Sequence, residues 1–221
     1  MSILYSYKNG VHVNLNHANY EEDKAIQENI YVNLTNKCPC ACTFCIRNSD
    51  KIKEFNNLWL KSEPTVQEVL NEFKKHDLSR CKEVIFCGYG EPLTRLYAVL
   101  EVSKYLKREK EDLNIRINTN GLGDLINKRE VAPLLSKTID SVSISLNASN
   151  AEEYLKITKS KFGIKSYESV LKFALGCQKY LKNVRLTVVD VIGEAEIIKC
   201  REICEKHNLI LKVRKFISSD S

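Results

Sequence analysis

No stretch of this 221-residue chain is apolar for long enough to span a bilayer. The opening residues, MSILYSYKNG, lack a basic stretch followed by an apolar one, so they do not read as a secretory signal; the expected compartment is the cytoplasm. Blocks of about five or six like charges are also missing. The net charge of +6 is spread along the chain, which permits an anionic substrate or nucleic acid but indicates neither. There is no internal repeat, low-complexity segment or Pro/Gly-rich linker. The four histidines, His12, His17, His76 and His207, show no ligand spacing. What remains is an ordinary globular composition, 43% hydrophobic and 28% charged, with length enough for one real core.

The chain does have cysteine: nine of them. In a reducing compartment these are thiols rather than disulfides. Cys38, Cys40, Cys42 and Cys45 crowd into eight residues, which reads as metal binding. Cys200 and Cys204 share one face of a helix and, with Cys81 and Cys177, read as core residues.

Short β-rich runs alternate with longer amphipathic ones. Strands are expected at 30–35, 84–87, 115–118, 140–146, 184–191 and 209–216. Helices are expected at 65–75, 96–108, 122–135, 151–157, 167–181 and 194–207. Six strands alternating with helices imply right-handed parallel βαβ units and an α/β fold. The expected architecture is a partial (β/α)6 TIM-like barrel, with a flat doubly wound sheet as the alternative. Residues 3–7 and 11–15, around Asn9-Gly10, form a short N-terminal β-hairpin. Residues 17–29 are polar and read as a surface insertion. The expected division is therefore 1–29, hairpin and insertion packed on the core, and 30–221, the core domain.

The cysteine loop leaves the first core strand. Three thiolates pointing to one centre can hold a [4Fe–4S] cubane and leave one iron without a protein ligand. That open iron can take the amino and carboxylate groups of S-adenosylmethionine (SAM) and set its sulfonium beside the cluster. One electron then cleaves SAM and releases a 5′-deoxyadenosyl radical; the cofactors carry the chemistry and the protein orients it. Zinc is the competing reading, because Cys40 offers a fourth thiolate. The spacing is tight for one such tetrahedron, and Cys40 is read as a passenger in the loop.

Cys38-Pro-Cys-Ala-Cys42-Thr-Phe-Cys45 resembles the three-cysteine motif of the radical SAM superfamily. The resemblance is sharpest over residues 31–48 and is closest to the TatD-associated radical SAM group. It implies Cys38, Cys42 and Cys45 as cluster ligands and Phe44 beside the adenine. Phe86-Cys-Gly88-Tyr-Gly90-Glu91-Pro92 looks like the superfamily's Gly-Gly-Glu-Pro motif, with Tyr89 where a glycine is frequent. It implies Gly88, Gly90 and Glu91 around the SAM amino group. Asn118, Thr119 and Asn120 match a Thr-Asn-Gly segment near the SAM ribose and methionine. Ser143 and Ser145 lie on one face of a strand with Ser141 and Asn147, and Ser145 is the preferred SAM contact. Arg47, Asn48 and Arg214 are further candidates for SAM or substrate. The bland reading of these strand ends is turns and one solvated strand face.

The resemblance implies an enzyme, an oxidoreductase or lyase, that abstracts hydrogen from an unidentified small-molecule or macromolecular substrate. It needs an external one-electron reductant, flavodoxin- or ferredoxin-like, and no membrane. The alternatives are an activase that installs a radical on a partner protein, and a non-enzymatic zinc-binding module.

Overall fold

The computed structural model describes residues 3–8, 11–17, 28–48 and 57–216. The Asn9-Gly10 turn and most of the polar segment 17–29 lie outside the described residues.

An eight-stranded sheet organises the chain: β1 (Leu4–Lys8), β2 (Val11–Asn14), β3 (Asn29–Val32), β4 (Glu83–Phe86), β5 (Asn114–Thr119), β6 (Ser141–Ser145), β7 (Asn183–Val189) and β8 (Ile210–Arg214). Its spatial order is β2-β1-β3-β4-β5-β6-β7-β8. The hairpin β1–β2 is antiparallel, and β1 also runs antiparallel to β3. From β3 to β8 every pairing is parallel. The sheet has the mostly parallel α/β architecture of a partial TIM-like barrel. The hairpin extends the barrel wall.

Right-handed crossovers between neighbours taken in order put the described helices on one face. These are α1 (Val66–Phe73), α2 (Leu96–Glu109), α3 (Gly123–Asn127), α4 (Ala132–Leu135), α5 (Ala151–Thr158), α6 (Ser166–Tyr180) and α7 (Glu194–Lys206). The strand sequences alternate to match. Ile115, Ile117, Val142, Ile144, Leu186 and Val188 are fully buried in the main core. Arg116, Asn118, Ser143, Ser145 and Thr187, out of phase with them, belong to the barrel's interior. Cys81, Cys177, Cys200 and Cys204 are core residues, each at most 1% exposed.

Local chemistry sets the helix ends. Thr65 closes a capping box with Glu68 at the start of α1. The Asn150 side chain accepts from Glu153 N–H at 2.9 Å to open α5. The single helix expected over 122–135 is instead two, α3 and α4, separated by Lys128 in the left-handed region (φ 54). Pro133 explains the break: deep in one continuous helix it would lose a bond and clash with the turn before it, whereas it fits the first turn of α4.

Candidate active site

The cysteine loop follows β3 and is fastened by main chain. Ala41 N–H donates to Thr158 O at 2.9 Å and Thr43 N–H to Ile157 O at 3.0 Å. Lys161 N–H returns to Pro39 O at 2.9 Å. The last carbonyls of α5, left without helical partners, thus hold the loop. Arg47 donates to Cys40 O at 3.2 Å and Asn36 O at 3.5 Å, and Asn48 reaches Cys42 O at 3.5 Å. Arg47 and Asn48, candidates for ligand contacts, thus also help to close the loop.

Cys38, Cys42 and Cys45 line one cavity of about 360 Å³, open to solvent at the C-terminal ends of the strands. Cys40 is buried in the same wall. Its thiol hydrogen-bonds both neighbours, and that bond holds the Cys38 thiol down to about 6 and lowers Cys42 as well. As the shared donor, Cys40 is pushed far up, while burial raises Cys45. Cys38 therefore leans toward the thiolate, the form that binds iron, and Cys42 is moved in the same direction.

The turn after β4 packs on the loop. Glu91 N–H donates to Lys37 O at 2.8 Å. A Cβ on Gly90 would meet the Thr35 and Lys37 carbonyl oxygens, and one on Gly88 the Asn33 side chain. These glycines serve the close approach of two loops, beyond the approach to a ligand that their motif implies. Glu91 is 3% exposed and accepts three bonds: from Thr119 Oγ1 at 2.8 Å, Leu93 N–H at 3.0 Å and Asn120 N–H at 2.7 Å. Burial pushes its carboxyl up to about 7 against those donors. It braces the turn after β4 against the end of β5, while still lining the cavity.

At the end of β5, Asn120 Oδ1 accepts from Leu122 N–H at 2.9 Å, and its Nδ2 lies 3.8 Å from the sulfurs of both Cys38 and Cys40. Asn118 Oδ1 accepts from Arg116 at 2.8 Å, and Arg116 is paired with Glu83 at 2.7 Å. Phe44, Gly88, Asn118, Thr119 and Ser145 complete the convergence on one cavity; Ser143, one pleat deeper, is not in its wall.

Several wall residues lie outside the expected set. Tyr5, Tyr7 and His12 enter from the hairpin, Cys87 from the end of β4, and Lys215 and Phe216 from the end of β8, beside the Arg214 that was a candidate. Asn147 also lines the cavity, with φ 61 and a buried Oδ1 that has no hydrogen-bond partner in the structure. Its signal in sequence was the polar stripe running from Ser141. Trp59, 40% exposed, stands edge-on to Tyr89 at 5.3 Å rather than in the wall.

Residues 32–202 match the Radical SAM superfamily family. The chain belongs to that superfamily. A probable GTP 3′,8-cyclase of Thermococcus kodakarensis is 29% identical over 187 residues, covering 84% of this chain and 55% of that protein. A GTP 3′,8-cyclase of Corynebacterium glutamicum is 27% identical over 185 residues, 81% and 46% of the two chains. The chain spans about half the length of these curated relatives. Among solved structures, native anSMEcpe with bound AdoMet overlays with a TM-score of 0.60 at 19% identity, covering 85% of this chain and 51% of that one. A radical SAM methyltransferase from Sphaerobacter thermophilus gives 0.58 at 14%, covering 85% and 55%. At that identity the overlays show the fold, the superfamily's partial barrel. Enzymes of this superfamily use a [4Fe–4S] cluster and SAM, and Cys38, Cys42 and Cys45 fit the superfamily's cluster motif. Enzymes of this family draw on an external reductant. No described helix is long and apolar enough to cross a membrane.

Proposed function

We propose that this chain reductively cleaves SAM and directs the resulting radical at hydrogen on a substrate, with Cys38, Cys42 and Cys45 as the cluster ligands. The observation that carries the reading is a single cavity shared by those three thiols, the turn after β4, the end of β5 and Ser145. When bound, cluster and SAM supply one-electron cleavage of the sulfonium. The protein's part is placement. Gly88, Gly90 and Glu91 face the SAM amino group. Asn118, Thr119, Asn120 and Ser145 take its ribose and carboxylate, with Ser143 behind them, and Phe44 packs on the adenine.

The test is anaerobic reconstitution. About four irons with matching sulfide per chain are expected. 5′-Deoxyadenosine should form when SAM and a strong reductant are added. A preparation that holds zinc without iron, or a full cluster that never cleaves SAM, sinks the proposal.

A finer reading concerns substrate. Two relatives carry the name GTP 3′,8-cyclase, and Arg214 and Lys215 line the cavity without an ion pair among the described residues. An anionic nucleotide, GTP first, is the substrate to assay.

A further inference from the structure

One cluster in the cavity is used by none of the cofactor contacts. Cys87 follows β4 on the wall shared with Cys38 and Cys42, and its thiol is half-buried. Tyr5, 1% exposed, donates to Cys87 O at 3.2 Å, and the Cys87 thiol is near enough to act on that hydroxyl. Tyr31 stacks on Tyr5 with ring centres 5.2 Å apart. Tyr7 stands edge-on to both, at 5.9 and 4.9 Å. The Tyr7 hydroxyl meets His12 Nε2 at 2.5 Å, and Tyr7 is 37% exposed. Thiol and aromatic rings thus line one stretch of the cavity wall, from Cys87 to the exposed edge of Tyr7. Tyr5 belongs to a small aromatic cluster separate from the main core. Burial raises the tyrosines, so their hydroxyls stay protonated at neutral pH.

We propose that Cys87 gives a hydrogen atom to carbon radicals formed in this cavity, with Tyr5 and Tyr7 as the path that restores it. The inference rests on the radical reading above. In the first step the S–H bond breaks and a C–H bond forms, leaving a neutral sulfur radical on Cys87. The step runs downhill because an S–H bond is weaker than the alkyl C–H bond it makes. In the second step one electron and one proton return the sulfur radical to the thiol. The electron comes from the same class of external one-electron reductant, entering at Tyr7 and passing through Tyr5. The proton comes from solvent at the Tyr7–His12 pair. Each radical quenched costs one electron and one proton, and the substrate carbon ends reduced.

The experiment needs no substrate. The anaerobic holoenzyme is exchanged into D2O, where thiol and phenol hydrogens become deuterium, and is given SAM with titanium(III) citrate. Here the 5′-deoxyadenosyl radical is itself the carbon radical to be quenched. Most of the 5′-deoxyadenosine should carry one deuterium by mass spectrometry. In Cys87→Ser, whose O–H bond is too strong to give up its hydrogen, the deuterated fraction should fall several-fold; Cys87→Ala, compared at matched iron content, should behave likewise. Tyr7→Phe should keep the wild-type fraction in the first turnover and lose it in later ones. Unlabelled product from the wild type, or an equal deuterated fraction in Cys87→Ser, overturns the proposal while leaving SAM cleavage standing. No 5′-deoxyadenosine at all overturns both readings.

Discussion

At Glu91 the chain buries a carboxyl and sets three donors on it. With its folded value near 7 against an ordinary 4.5, the group favours the fold fully below about pH 4.5. That contribution is lost as pH rises through about 7 and the carboxyl must ionise in a buried site. The apo-protein should therefore lose stability between these limits, by up to about 3 kcal/mol. In urea titrations of Glu91→Gln that slope should flatten. The variant should also be weaker throughout by about 1–3 kcal/mol, because an amide cannot accept from all three donors. An unchanged slope would mean that another group titrates. The cysteines divide differently. Replacing Cys38, Cys42 or Cys45 by Ala should abolish the brown iron–sulfur absorbance, whereas Cys40→Ala should keep it, although Cys40 is buried among the ligands. The ligand spacing was legible because it lies within one loop. The brace made by Glu91 was not, because two of its three donors, Thr119 and Asn120, lie at the end of β5, which only the parallel pairing of β4 and β5 brings alongside.

Among the elements, α5 has two ends with different duties. Its N-terminus rests on Asn150, and Asn150→Ala should cost about 1 kcal/mol in chemical denaturation while leaving iron content unchanged. Gly90 is a junction between elements. Gly90→Ala drives a methyl into two backbone carbonyls that have little room to move, so a loss of about 1–3 kcal/mol and a parallel loss of bound iron are expected. Full iron at wild-type stability would show that the two loops are not packed as described. Strands and long helices were readable to within a few residues, because alternation and helical spacing record which side faces the core. The division of 122–135 turned on Pro133, whose effect depends on its position in the turn rather than on the hydrophobic pattern.

Across the whole molecule the barrel is open. β2 and β8 are its edges, and β8 shows Ile210 at 70% and Val213 at 36% exposure. Amide exchange should be fast along β8 and slowest in β4 to β6, which are paired on both sides and covered by helices. Uniform protection across the sheet would point to something covering the open edge. The hairpin's place in the cavity wall was not visible in its sequence. The alternation puts Tyr5 and Tyr7 on one face, but only the antiparallel pairing of β1 with β3 turns that face toward the cysteines.

The bonds that fasten the cysteine loop to α5 have one more consequence. Both partners are main chain, and Ala41 and Thr43 themselves are exposed. Evolution is therefore free to vary these two side chains with little penalty. Proline alone should be shut out of both positions, since it has no N–H to offer Thr158 or Ile157.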